Sequence, residues 1–269
     1  MAAKVKVLVL RTAGTNCDNE TVFAFESFGA QVVNAHINEL YSHAVKLNDF
    51  HIFVLPGGFS YGDDIESGKI LANELRLRLG DDLCKFIGDG KLILGICNGF
   101  QILVKAGILP GPLDESDLKD HDPSQTVTLM HNDSGKFEAR WVNLKVQGKS
   151  VWTNDLKESI YLPVAHGEGK FIVKDESVLE KLKQNDQIAF RYCSLNGKSP
   201  EYPMDPNGSL EHIAGITDKT GRILGLMPHP ERHFLFTQHP FWTRLQNKSK
   251  FGDGAKIFEN GIQYVRKNL

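Results

Sequence analysis

The first half of the chain alternates short apolar runs with amphipathic segments, and this alternation constrains the fold more than any other feature. The apolar, strand-like runs are Lys4 to Leu10, Gln31 to Ile37, Phe50 to Leu55 and Leu92 to Ile96. The helix-like segments between them are Glu20 to Phe28, Ile70 to Leu79 with an end at Gly80, a shorter one near Leu83 to Ile87, and Phe100 to Ala106. Buried strands that alternate with helices predict a parallel sheet covered on both faces.

The second half has more strand-like segments and fewer helices. The strand-like segments are Val127 to Met130, Arg140 to Val146, Ser159 to Ala165, Ile188 to Tyr192, His212 to Thr217 and Arg222 to Met227. We expect them to extend the same sheet as antiparallel additions. Gly111 to Ser124 is predicted to be an acidic surface loop, and Ala255 to Val265 a terminal helix. No linker divides the chain, so residues 1–269 are predicted to form a single α/β domain.

The composition excludes several classes of function. Lys and Arg number 31 against 33 Asp and Glu, a net charge of −2, so the basic excess that nucleic-acid binding requires is absent. No apolar run approaches the ~20 residues that span a membrane, and no signal region is recognisable, so we expect a cytoplasmic protein. The four cysteines include no CxxC pair, and neither a phosphate-binding loop nor a dinucleotide fingerprint occurs. We therefore expect no metal or cofactor in this chain.

The segment Leu92 to Gln101, LILGICNGFQ, carries the strongest chemical signal. Cys97 stands between a buried strand and a helix, with Gly95 and Gly99 two residues away on either side. This is the Gly-x-nucleophile-x-Gly pattern of a sharp turn that exposes a nucleophile at the carboxyl end of a sheet. The helix N-terminus favours a thiolate there. We therefore expect a reactive, solvent-reachable thiol, with a buried structural cysteine as the alternative.

A catalytic thiol requires a base, and His229 is the best candidate among the ten histidines. It follows the strand-like Arg222 to Met227, and prolines on both sides restrict its backbone. Glu231 lies two residues further on and points the same way in an extended segment. The two are predicted to act as a coupled pair. A solvated turn is the alternative.

An acyl-transfer site also requires donors for the oxyanion that forms. Gly57 and Gly58 end the third predicted strand, where glycine lets backbone N–H groups turn toward a cleft. The backbone N–H of Asn98, directly after Cys97, is the second expected donor. A plain turn at Gly57 and Gly58 is the alternative.

Together these segments resemble the class I glutamine amidotransferases, and among them the glutaminase subunits of phosphoribosylformylglycinamidine synthases. The segments that carry the resemblance are 55–63 (LPGGFSYGD), 95–101 (GICNGFQ), 132–141 (NDSGKFEARW), 164–171 (VAHGEGKF) and 227–232 (MPHPER). The resemblance spans nearly the whole chain and implies a flavodoxin-like fold. Segments 64–67 and 234–254 depart from the family pattern, and the first departure leaves contacts with a partner protein open.

The resemblance implies roles for individual residues. By position, Cys97 resembles the catalytic nucleophile of the family and His229 resembles its general acid and base. Glu231 resembles the carboxylate that pairs with this histidine. Gln101 is similar to a residue that helps to hold the glutamine head group. His166 lies in a stretch that the family uses near the active site or the partner interface, and a buried, hydrogen-bonded core histidine is the alternative.

The resemblance further implies the reaction and its partners. Glutamine is hydrolysed to glutamate, and ammonia passes to a synthetase subunit that consumes ATP, with Mg²⁺, and formylglycinamide ribonucleotide in purine biosynthesis. Some members also have a small bridging subunit. Two other interpretations stay open: a stand-alone thiol hydrolase or peptidase, and a non-catalytic interaction module.

Overall fold

The computed structural model describes residues 4–112, 125–195, 198–246 and 249–269. The strands are β1 (Lys6–Arg11), β2 (Gln31–His36), β3 (Ile52–Leu55), β4 (Leu92–Ile96), β5 (Val127–His131), β6 (Glu138–Val146), β7 (Ser159–His166), β8 (Glu168–Val173), β9 (Ile188–Cys193), β10 (Ile213–Thr217) and β11 (Ile223–Leu226). The helices are α1 (Asp18–Glu26), α2 (Ile37–Tyr41), α3 (Lys69–Gly88), α4 (Asn98–Lys105), α5 (Glu176–Gln184) and α6 (Ala255–Asn268).

A nine-stranded sheet in the order β2-β1-β3-β4-β11-β10-β9-β6-β7 takes strands from both halves of the chain. The first five strands pair in parallel. Their order is that of flavodoxin-like sheets, and it reverses between β1 and β3. Right-handed crossovers in opposite directions from that point place helices on both faces. The predicted α/β class with a parallel centre is confirmed.

The other strands of the large sheet pair antiparallel, from β11 through β10, β9 and β6 to β7 at the edge. One prediction for this half was wrong. Val127 to Met130 does not extend the large sheet, because β5 pairs with β8 in a separate two-stranded sheet. The predicted loop Gly111 to Ser124 lies outside the described residues from position 113 onward.

Helix α3 differs from the prediction because it continues through Gly80. Leu75, Leu79 and Leu83 bury one face of the helix on both sides of that glycine. A glycine inside a helix costs about 1 kcal/mol relative to alanine, which burial of these three leucines outweighs. The prediction also missed β8 and α5, whose short amphipathic segments adjoin the separate sheet.

The core is apolar side chains on both faces of the parallel strands, and β3 and β4 are buried along their entire length. Such strands pack between two helical layers, so their carboxyl-terminal edge is where functional side chains emerge. None of the helices in the described ranges has the length and apolar character needed to cross a membrane.

Candidate active site

Three neighbouring parallel strands end side by side at one edge of the sheet. The register aligns Ile96, the last residue of β4, with Leu226, the last of β11. Cys97 directly follows β4, and His229 comes three residues after β11. On the other side of β4, strand β3 ends two residues before Gly57. The sheet topology therefore brings the three predicted segments to one place, although they are far apart in the sequence.

Cys97 occupies a strained turn between β4 and α4. Its backbone has φ 52° and ψ −107°, in a region that side chains rarely adopt, and its N–H donates to the Leu226 carbonyl at 2.8 Å. Glycine is required on both sides of Cys97, because neighbouring backbone atoms leave no room for a Cβ. A Cβ on Gly99 would lie 1.8 Å from the Leu55 carbonyl oxygen, and a Cβ on Gly95 would lie 2.7 Å from that of Gly99.

Cys97 is 4% exposed, so the prediction of a solvent-reachable thiol was wrong for this chain by itself. The edge strand β7 covers it. The Cys97 thiol lies 3.7 Å from the Ala165 carbonyl oxygen, and the His229 N–H donates to the Pro163 carbonyl at 2.8 Å. A strand from the antiparallel half thus closes over the edge of the parallel half.

His229 and Glu231 form a buried pair. Nδ1 of His229 lies 2.6 Å from Oε1 of Glu231, and the residues are 2% and 1% exposed. Burial by itself lowers the pKa of His229, but the Glu231 carboxylate and then the Cys97 sulfur raise that pKa well above its usual value. Nε2 of His229 has no hydrogen-bond partner within the described ranges. The imidazole is therefore oriented through one nitrogen and free at the other.

Cys17 also belongs to this site, and the sequence analysis missed it. Its buried sulfur lies 3.8 Å from Nδ1 of His229 and accepts a hydrogen bond from Arg232 at 3.1 Å. Burial raises the pKa of the Cys17 thiol, although its contact with His229 opposes this. The signal was its place in the loop after β1, since such loops leave the same edge of a parallel sheet.

The sulfur of Cys17, a ring nitrogen of His229 and a carboxylate oxygen of Glu231 lie within 4.8 Å of one another. Such spacing is compatible with a bound cation, but the guanidinium of Arg232 already donates to the sulfur. Gly57 packs against the same group. A Cβ at Gly57 would lie 2.7 Å from Cε1 of His229 and 3.1 Å from the Cys17 sulfur, so the position of His229 depends on glycine there.

Two backbone N–H groups, one after β3 and one after β4, have no acceptor among the described residues. Gly58 has φ 146°, and a Cβ there would lie 2.8 Å from the Asn16 backbone nitrogen. The N–H of Gly58 donates to no group in the described part of the chain, and the N–H of Asn98 at the start of α4 does not either. Free N–H groups at a helix start and beside a glycine turn suit a developing negative charge.

The side chains of Asn98 and Gln101 connect three segments around Cys97. Asn98 accepts a hydrogen bond from the Ser60 N–H at 3.2 Å, and donates to Asp63 at 3.2 Å and to Gln101 at 3.0 Å. Gln101 in turn donates to the backbone carbonyl of Glu168. Gln101 therefore joins α4 to β8 through one amide N–H, and its amide nitrogen carries a second N–H.

His166 lies at the end of β7 and is 2% exposed. Its Nδ1 is 3.1 Å from Oδ1 of Asn132. Burial, followed by the positive charge of His229, lowers the pKa of His166 to about 3. The side chain is therefore a neutral, interior group next to the residue whose carbonyl faces Cys97.

Comparison with known proteins agrees with this geometry. Residues 4–265 match the family model of the CobB/CobQ-like glutamine amidotransferase domain. The chain is 48% identical to the phosphoribosylformylglycinamidine synthase subunit PurQ of Dehalococcoides mccartyi, over 98% of this chain and 99% of that one. This chain belongs to the PurQ family. The PurQ subunit of Methanococcus maripaludis is 41% identical, over 97% of this chain and 98% of its own.

Solved structures extend the PurQ match to three dimensions. A chain in the structure of PurLQS from Thermotoga maritima superposes with a TM-score of 0.73 at 31% identity, covering 98% of this chain and all of that one. A glutamine amidotransferase from the same organism shares the fold, with a TM-score of 0.53 at 13% identity over 99% of this chain and all of its own. The PurQ-family chain thus matches its relatives over essentially their whole length.

Proposed function

We propose that this chain is the glutaminase subunit of a phosphoribosylformylglycinamidine synthase. It hydrolyses glutamine and supplies ammonia to a synthetase subunit, which makes formylglycinamidine ribonucleotide from formylglycinamide ribonucleotide and ATP in purine biosynthesis. One observation carries the proposal. A cysteine on a strained strand-to-helix turn meets a buried His–Glu pair, in a chain 48% identical to a PurQ subunit.

The first chemical step uses Cys97 as the nucleophile. Its sulfur attacks the side-chain carboxamide carbon of glutamine and forms a tetrahedral intermediate. We assign the backbone N–H groups of Gly58 and Asn98 to the oxyanion, and the loss of one such donor typically costs ~3 kcal/mol of barrier. Gly57 supplies the space that keeps His229 beside the nucleophile.

His229 moves the protons. As an imidazolium it protonates the departing nitrogen, which leaves as ammonia, and as a neutral imidazole it activates the water that hydrolyses the γ-glutamyl thioester. Glu231 fixes the ring orientation through Nδ1, so that Nε2 is the nitrogen free to act. General acid and base catalysis of this kind contributes roughly 10²–10⁴-fold in rate.

The remaining components belong to the partners. The related Thermotoga maritima structure is that of PurLQS, which is consistent with a synthetase and a further small subunit in the assembly. We place ATP and Mg²⁺ in the synthetase, no cofactor in this chain, and the assembled complex in the cytoplasm. Because Cys97 is covered by β7 here, docking of the synthetase is the natural point at which the site opens to glutamine.

The test uses Cys97→Ala and Cys97→Ser in the reconstituted complex, with Cys84→Ser as the matched control, since Cys84 is an exposed cysteine on α3. Both Cys97 variants are expected to abolish glutamine-dependent synthesis and to leave ammonia-dependent synthesis intact. Wild-type glutamine turnover in either Cys97 variant would overturn the assignment. Turnover of glutamine at an unchanged rate without the synthetase would favour a stand-alone hydrolase.

A further inference from the structure

The side chain of His166 has a tautomer that the surrounding hydrogen bonds determine. The amide nitrogen of Asn132 donates to the carbonyls of Lys136 at 2.9 Å and His166 at 2.8 Å. Its oxygen therefore faces the Gly169 N–H, at 3.1 Å, and Nδ1 of His166. An amide oxygen only accepts hydrogen bonds, so Nδ1 of His166 carries the proton.

Nε2 of His166 is consequently a lone-pair acceptor. It is buried, and no group in the described ranges donates to it. The ring packs closely on Gly169, because a Cβ at that position would lie 2.4 to 2.8 Å from three ring atoms. A buried acceptor without a donor is destabilising, which makes an unassigned group of this kind a candidate for ligand contact.

The residues on either side of His166 lie beside the reacting groups. The carbonyl of Ala165, the preceding residue, is 3.7 Å from the Cys97 sulfur. The carbonyl of Glu168, two residues later, accepts a hydrogen bond from Gln101 in the first turn of α4. The charge of His229 acts on the His166 ring. Residues 165–168 thus pass directly over the nucleophile.

We propose that Nε2 of His166 accepts a hydrogen bond from the carboxamide nitrogen of glutamine, and then from the ammonia that leaves. The inference rests on the proposed function. In the tetrahedral intermediate the nitrogen carries two N–H bonds and one lone pair. When one N–H points at His166, the lone pair is free to face the proton on His229. No bond to His166 forms or breaks.

The environment of His166 supports an acceptor that never carries the second proton. Burial and the charge of His229 lower the pKa of His166 to about 3, so the ring is uncharged at neutral pH. A neutral acceptor binds the uncharged amide and uncharged ammonia without trapping ammonium. The two histidines thereby act on the same leaving nitrogen. His229 donates a proton to it, and His166 only orients it.

Two substitutions at position 166 distinguish the structural hydrogen bond that Nδ1 makes from the hydrogen bond that Nε2 accepts. His166→Asn keeps a donor at the position of Nδ1, for Asn132, and removes the acceptor. His166→Gln puts an amide at the position of Nε2 and so restores an acceptor. The comparison uses two substrates in the reconstituted complex, glutamine and the γ-methyl ester of glutamate, whose leaving oxygen has no N–H to donate.

The measured quantity is the kcat/KM for glutamine divided by that for the ester, which does not depend on the fraction of folded protein. We expect His166→Asn to lower this ratio about tenfold, the effect of one lost hydrogen bond, and His166→Gln to restore most of it. Cys84→Ser should leave the ratio at the wild-type value.

An unchanged ratio in His166→Asn, with both substrates slowed equally or not at all, would overturn the inference and assign His166 a structural role. Failure of the proposed function would be visible separately, because Cys97→Ala would then retain glutamine turnover whatever residue 166 is.

Discussion

Nδ1 of His229 and Oε1 of Glu231 lie 2.6 Å apart, in side chains that are almost completely removed from solvent. Isolated in such a place, either charge would be costly. Together they offset the loss of hydration, and the carboxylate keeps the histidine protonated on Nδ1. The orientation of the His229 ring and its pKa therefore depend on the same contact.

Glu231→Gln should lower glutamine-dependent kcat/KM by roughly 10²–10⁴-fold, because the amide leaves the imidazole without its charged partner. Steady-state assays of the reconstituted complex measure this loss. Glu180→Gln on α5, where Glu180 pairs at the surface with Lys183, is the control and should be indistinguishable from wild type. A loss smaller than fivefold in Glu231→Gln would contradict the role given to the pair.

The same variant tests the pH dependence of stability. Glu231 raises the pKa of His229 in the folded protein above the unfolded value of about 6.5. The stabilisation is therefore complete below pH 6.5 and is lost as the pH rises through the folded pKa. The difference in unfolding free energy between wild type and Glu231→Gln should be largest near pH 6 and shrink as the pH rises. Urea titrations across this range measure it, and a difference that grows with pH would be inconsistent with a raised pKa.

The low pKa of His166 predicts that the folded protein loses stability as the pH falls. Its pKa is about 3 in the folded protein and about 6.5 in the unfolded chain. The unfolded chain therefore takes up a proton first, and stability falls as the pH drops from 6.5 toward 3, by up to ~1.4 kcal/mol per pH unit for this one group.

Urea titrations between pH 6.5 and 5 should show this slope in wild type and a smaller one in His166→Asn. The control is His43→Asn, because His43 is exposed and has φ 56°, which asparagine tolerates. Equal slopes in wild type and His166→Asn would show that His166 does not titrate in this way.

Gly57→Ala should impair the site through a direct contact. The new methyl group would lie 2.7 Å from Cε1 of His229, so we expect about 1–3 kcal/mol of destabilisation and a drop in glutamine turnover. Gly80→Ala is the matched control. No heavy atom lies within 4 Å of a Cβ at Gly80, in the middle of α3, and alanine there should stabilise the protein by up to about 1 kcal/mol. Thermal unfolding and steady-state assays measure both, and a Gly57→Ala variant with wild-type kcat would contradict the contact.

A glutamine-like electrophile should discriminate between the two buried cysteines beside His229. Burial raises the pKa of the Cys17 thiol, which disfavours the reactive thiolate. We expect labelling of Cys97 in wild type and in Cys17→Ala, and none at Cys17 in Cys97→Ala. Mass spectrometry of peptides from the reconstituted complex identifies the site. Labelling of Cys17 that added glutamine prevents would assign the role of nucleophile to Cys17 and not to Cys97.

Local sequence was sufficient wherever an element is defined by its own residues. The apolar run Leu92 to Ile96 is β4 to the residue, because a buried parallel strand needs no partner information to be recognised. Glycine was a less dependable indicator of where a helix ends. Gly80 lies inside α3, since the apolar face that continues beyond it is stronger than the local preference of one residue.

The strand pairing of the antiparallel half could not be predicted from the local sequence pattern. The strand β5 has the same alternation as its neighbours in sequence, yet it pairs with β8 and not with the large sheet. Strand partners are chosen by long-range packing, which the alternation of one segment does not encode.

By itself, the sequence determined the glycine-flanked Cys97, the proline-bracketed His229 with Glu231, and the parallel strands that bring them to one edge. Only the tertiary structure decided that β7 covers Cys97, that the sulfur of Cys17 reaches Nδ1 of His229, and that Nε2 of His166 faces no donor in the described part of the chain. The physical reason is that the first set depends on backbone geometry within a few residues. The second depends on contacts between segments up to 212 positions apart, and only packing of the complete sheet brings these together.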